Sequence, residues 1–132
     1  MNTDSKPISF SILVEGELTE KIIGAAFKVQ NTLGAGFLEK VYENSLAIEL
    51  RKIGLAVESQ TPYSVLYEGI VVGDYQADLV VGGKVILECK AVSALDRVHE
   101  AQLLNYLKAS GLHVGLLINF GRPKLQYRRL VL

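Results

Sequence analysis

At 132 residues with 49% apolar content, the chain has the size of one domain and enough apolar side chain for a continuous core without cross-links. Its single cysteine, Cys89, excludes an intrachain disulfide and any four-cysteine metal or iron–sulfur site built from one chain, which fits a reducing, cytoplasmic setting. The balance of 14 basic and 14 acidic residues excludes a net positive field that draws in polyanions, so nucleic-acid binding has to come from a local patch.

Residues 1–16 contain Pro7 and show no sustained period, so they read as a flexible N-terminal arm ahead of a single domain over 17–132. The arm lacks a basic start followed by an apolar run, and no stretch of about 18 apolar residues occurs anywhere, which argues against export and against a membrane partner. From Leu18, the residues Ile22, Ile23, Ala26, Phe27, Val29 and Leu33 recur at helical spacing, and Gly34 stands where a C-terminal cap belongs. Gly34, Ala35 and Gly36 form a short turn, in which Gly36 supplies a positive φ. Leu38, Val41, Tyr42, Leu46, Leu50 and Ile53 then carry a second helix over about 38–53.

Beyond Gly54 the period changes. Val57, Tyr63 to Tyr67, and Ile70 to Val72 are β-branched or aromatic and predict strands. Two further apolar runs, Tyr75 to Val81 and Val85 to Lys90, flank Gly82, Gly83 and Lys84, a hairpin signal. Asp96 can cap a helix that runs to Ser110 and closes at Gly111, His113 to Phe120 reads as a buried strand, and Leu125 to Leu132 as the last one. This order predicts a mixed sheet with helices packed on it. Arg122, Lys124, Arg128 and Arg129 make the charge one-sided near the C-terminus, as in a nucleic-acid patch or in a solvated edge strand whose charges block aggregation.

In the segment from Tyr75 to Lys90, the ionisable residues Asp78, Glu88 and Lys90 interrupt otherwise apolar strands. Alternation along a strand puts Glu88 and Lys90 on one face and Leu87 and Cys89 on the other. Whether Asp78 joins them depends on register. A two-residue turn sets Asp78 opposite Leu87. A three-residue loop of Gly82, Gly83 and Lys84 pairs Val81 with Val85 and sets Asp78 opposite Glu88, about 5 Å apart at Cβ. Two carboxylates that close repel each other unless a divalent cation, magnesium or manganese, lies between them, with the Cys89 carbonyl as a further ligand. Lys90 could then orient the attacking water or offset charge on a phosphate. The bland alternative is a structural salt bridge among the three.

The string Gly36-Phe-Leu-Glu39-Lys-Val-Tyr42 matches the GxxExxY signature, and from about Leu18 onward the chain resembles the GxxExxY family of the PD-(D/E)XK nuclease superfamily. The resemblance includes Asp78, Glu88-Cys-Lys90 and the stretch from Ala101 to Tyr106. It implies a restriction-endonuclease-like α/β fold, a mixed β-sheet flanked by helices. It also implies metal-dependent phosphodiester hydrolysis, with Asp78 and Glu88 as ligands, Lys90 as the catalytic cation and Glu39 as an early helical acid. Gln102 and Tyr106 match a Gln-x-x-x-Tyr pattern found in the RecB-like branch and are candidates for nucleic-acid binding. Each of the pairs Glu39/Tyr42 and Gln102/Tyr106 shares a helix face. Tyr42 also fits a core tyrosine with its hydroxyl at the edge, Glu39 a solvated acid in a helix first turn, and Gln102 a buried amide. The alternative to a nuclease is a catalytically inactive module of the same fold that binds nucleic acid or protein. A homodimer would extend the short groove of one small domain.

Overall fold

The computed structural model describes residues 14–132, so the first 13 residues of the expected arm lie outside the described part. Helix α1 (Gly16–Leu33) buries Ile22, Ala26 and Val29 and ends where the N–H of Gly34, at φ 72°, donates to the Gln30 carbonyl. Helix α2 (Glu39–Lys52) buries Tyr42, Leu46, Ala47 and Leu50. Tyr42 latches the turn between the helices: its hydroxyl donates to Gly34 O at 2.5 Å and accepts from Phe37 N at 3.1 Å. Its ring stacks on Phe120 at 4.7 Å. The tyrosine of the GxxExxY string is thus a core residue whose hydroxyl satisfies loop backbone.

Five strands follow: β1 (Val57–Tyr67), β2 (Ile70–Val81), β3 (Val85–Lys90), β4 (Val114–Asn119) and β5 (Gln126–Val131), with helix α3 (Arg97–Ser110) between β3 and β4. They lie side by side in chain order. The pair β3/β4, joined across α3, is parallel and the other neighbours are antiparallel. The sheet is therefore mixed, with a restriction-endonuclease-like arrangement of flanking helices. The runs Ile70–Val72 and Tyr75–Val81, separate in the sequence reading, belong to one strand that continues through Gly73 and Asp74. Likewise Pro62 does not interrupt β1, because β1 is an edge strand and a missing N–H is tolerated there.

Strand alternation splits the core in two. Leu79, Val81, Val85, Leu87, Cys89, Leu116 and Ile118 pack with α1 and α2, and Val80, Ile86 and Leu117 pack with Leu103 and Leu107 of α3. Helix α3 starts at a reciprocal cap: Asp96 Oδ1 accepts from Val98 N and His99 N, and His99 Nδ1 accepts from Asp96 N. That gives His99 a structural role. Gly111, at φ 77°, closes the helix.

Candidate metal and active site

The loop between β2 and β3 consists of Gly82, Gly83 and Lys84. Both glycines are left-handed, at φ 62° and 67°, and the pairs Val81↔Val85, Val80↔Ile86 and Leu79↔Leu87 follow. One step further the same register sets Asp78 against Glu88, but there side chains replace the backbone ladder. Asp78 N donates to Glu88 Oε2 at 3.0 Å, and Cys89 N donates to Asp78 Oδ2 at 2.9 Å. Ala77 and Val80 face the same core, so the alternation of β2 slips at Asp78. Opposite that slip, between the pairs Ser59↔Leu79 and Thr61↔Ala77, stands Gln60 with φ 53°. A left-handed glutamine inside a strand stores backbone strain at this point.

At the slip Asp78 lies in the field of two acids of α2. Burial raises its pKa first; Glu43 and Glu39 raise it further, while the Cys89 N–H and Lys90 pull it down. Glu88 is 3% exposed, and burial followed by the charge of Asp78 pushes its pKa up to about 8. Two carboxylates are held together with too little positive charge near them.

Lys90 is half-buried at the end of β3, and its Nζ donates to Gln102 Oε1 on α3 at 3.1 Å. Gln102 is exposed and bonds this cation, where a buried amide was one sequence-based expectation. Tyr106, one turn on, donates its hydroxyl to Gln76 O at 3.0 Å, and burial followed by the charges of Glu88 and Asp78 pushes its pKa up to about 12. Glu39 is exposed in the first turn of α2, and its charge ranks behind that of Glu43 at Asp78. The Cys89 side chain is fully buried in the core against α1 and α2, with its thiol pKa raised by burial; only its backbone is available to the site.

Glu43 escaped the sequence reading. It is 5% exposed, and its Oε2 accepts from Gln60 Nε2 at 2.7 Å and Lys40 Nζ at 3.1 Å. The usable signal was its spacing of four from Glu39, which puts both acids on one face of α2. Of the basic patch, Arg128 pairs with Glu100 at 3.3 Å and Arg129 donates to Val14 O, whereas Arg122 and Lys124 are exposed.

The donor set fits a hard divalent cation. Among the described residues no three His, Cys, Asp or Glu side chains form a metal cluster. Magnesium, however, keeps several waters and is commonly held by one or two carboxylates. Asp78 and Glu88 each spend one oxygen on a backbone N–H and keep the other for a ligand. Among the described residues no helix is long and apolar enough to cross a membrane.

No curated protein matches this chain. Among solved structures, the crystal structure of SSO0001 is similar, with a TM-score of 0.53 and 17% identity over 92% of this chain. The match spans 60% of that protein's chain, and the likeness is one of fold. The model of the PD-(D/E)XK nuclease superfamily matches residues 16–130, and it is to this superfamily that the chain belongs.

Proposed function

We propose that the protein is a metal-dependent nuclease that hydrolyses phosphodiester bonds in nucleic acid, and that within its superfamily it falls in the GxxExxY family. The observation that carries this is the pair Asp78, half-buried, and Glu88, buried, whose carboxylates meet across the end of the β2/β3 ladder, each with one oxygen on a backbone N–H and the other uncommitted; burial raises the pKa of both. Lys90 lowers both pKa values, but by less than burial raises them, and its Nζ donates to Gln102 Oε1. A bound magnesium or manganese ion would supply an activated water and charge neutralisation at the phosphate. Asp78, Glu88 and the Cys89 carbonyl are the ligands, and Glu43 and Glu39 add negative charge from α2. Lys90, steadied by Gln102, offsets charge that develops on the phosphate.

Labelled single-stranded, double-stranded and branched substrates, incubated with manganese or with chelator, test the reading. Metal-dependent cleavage that is lost in Asp78→Ala is expected. Manganese should also raise the melting temperature of wild type and not of Asp78→Ala, because binding to the native state alone stabilises it. Metal binding without cleavage of any substrate would leave a binding module of the same fold.

A further inference from the structure

The β2/β3 pairing ends at Leu79↔Leu87, but β1 and β2 stay paired as far as Tyr67↔Ile70. The far part of these two strands is therefore a two-stranded ribbon that runs on beyond the candidate site. Such a ribbon is marginal alone, and α3 supports it. Between them lies a groove of about 460 Å³, whose lining includes Ser64, Leu66, Tyr75, Asn105 and Lys108. This volume is in the range of about 300–1,000 Å³ that holds small organic ligands.

The groove lies next to the candidate site, with Tyr75 as the lining residue that links the two. The Tyr75 ring packs on that of Tyr106 at 5.0 Å, and Tyr106 stands in the field of Glu88 and Asp78. Along α3, Gln102 holds Lys90 at one end and Lys108 lies six residues on, roughly 9 Å of helix rise, a distance that one or two nucleotides can span. The lining has the parts that take up a single strand: an aromatic ring for a base, an exposed amide, and one cation. Asp74 is held by Ser64 at 3.2 Å, and its negative charge disfavours a phosphate at that wall, which leaves Lys108 as the phosphate contact.

We infer that this groove binds the nucleotides next to the scissile phosphate, and that its ligand is single-stranded nucleic acid. A duplex needs many phosphate contacts, which a chain of zero net charge with one lysine in the groove does not offer. A base lies against Tyr75, Asn105 hydrogen-bonds its edge or its sugar, and Lys108 pairs with the backbone. This subsite rests on the nuclease reading for its direction toward Lys90, but its binding does not require cleavage.

The test uses the whole chain and two readouts. The first is fluorescence anisotropy of a labelled six-nucleotide single strand and of a hairpin duplex; the second is manganese-dependent hydrolysis of bis-p-nitrophenyl phosphate, too short to reach the groove. Lys108→Glu and Tyr75→Leu should each weaken single-strand binding about tenfold or more and leave hydrolysis of the small ester unchanged, whereas Lys90→Ala should do the reverse. Lys108 is exposed, so its variant keeps the test valid if Tyr75→Leu does not fold. Absent single-strand binding, duplex preference, or affinity that is unmoved by Lys108→Glu overturns the subsite, even if the ester is cleaved. Groove-dependent binding with no manganese-dependent cleavage of either the ester or the labelled nucleic acids overturns the nuclease reading and keeps the subsite.

Discussion

The carboxylate of Asp78 stands in for a backbone carbonyl opposite Cys89, at 2.9 Å from its amide, while Glu88 takes up the amide of Asp78 itself. Two acids thereby end a β-ladder that would otherwise run on. The exchange fixes both side chains, so that geometry is set before any ligand arrives.

One consequence is a pH dependence of opposite sign to that of an ordinary ion-paired acid. The pKa of Glu88 rises from 4.5 to about 8 on folding, so the folded state holds its proton more tightly than the unfolded chain. The contribution is fully present below pH 4.5 and is lost as pH rises toward about 8. In chelator, the melting temperature of wild type should fall between pH 5 and pH 8, and Glu88→Gln should flatten that slope. Manganese, which needs the ionised acid, should restore more stability at the upper end than at the lower. A slope unchanged in Glu88→Gln would locate the titrating group elsewhere.

Lys90 and Gln102 give a second. Lys90→Ala is expected to lower hydrolysis roughly a hundredfold or more and leave manganese affinity intact, as for the loss of a charge that acts in the transition state. Gln102→Leu removes the amide that accepts from Lys90 Nζ and should lower kcat about tenfold with KM little changed. Since Gln102 is exposed, urea unfolding should hardly move, and a large fall in stability would reassign Gln102 to the fold.

The register of the β2/β3 hairpin was legible because alternation makes it binary. Gly82, Gly83 and Lys84 either form the whole loop or send Asp78 to the wrong face, and two glycines in a row favour the longer loop. The helix ends at Gly34 and Gly111 were legible for the same local reason. The surroundings of Glu43 were not. Its burial depends on Gln60, 17 residues away, which reaches it from a left-handed backbone that no sequence pattern announces. The long β1/β2 ribbon was also hidden, because Pro62 and the pair Gly73-Asp74 are breakers in isolation and are accommodated only beside a paired strand. The GxxExxY string fused two roles, the charge of Glu39 and the latch of Tyr42, which only the hydrogen bonds separate.

The strain at Gln60 predicts an inverted order of substitutions. In an ordinary strand glycine is less stable than alanine by about 0.5–1 kcal/mol. At φ 53° the side-chain clash costs about 1–2 kcal/mol, so Gln60→Gly should be more stable to urea than Gln60→Ala by about 1 kcal/mol. Both lose the bond to Glu43 Oε2, and both should bind manganese more weakly than wild type if Glu43 shapes the field at Asp78. The usual order, alanine above glycine, would mean that Gln60 is not held left-handed in solution.

Lys90 is also held from behind. The chain leaves β3 at Lys90 and is gripped two residues later by Asn119, at the end of the neighbouring strand β4. Asn119 is fully buried; its Oδ1 accepts from Val92 N and Gly121 N, and its Nδ2 donates to Val92 O and to Gln126 Oε1. Gly121 closes the grip: a Cβ there would lie 2.4 Å from Val92 N and O, so Gly121→Ala must push the segment after Lys90 aside. Asn119→Ala removes the partner of three part-buried backbone groups, Val92 N, Val92 O and Gly121 N, each worth about 0.5–1.5 kcal/mol net, and is expected to destabilise by roughly 2–4 kcal/mol. Gly121→Ala keeps those groups and disturbs position instead. It should therefore lower hydrolysis by a larger factor than its stability loss explains, measured where both proteins are fully folded. If Gly121→Ala loses stability and retains full turnover per folded molecule, the loop after Lys90 tolerates displacement and Lys90 is held by Gln102 alone.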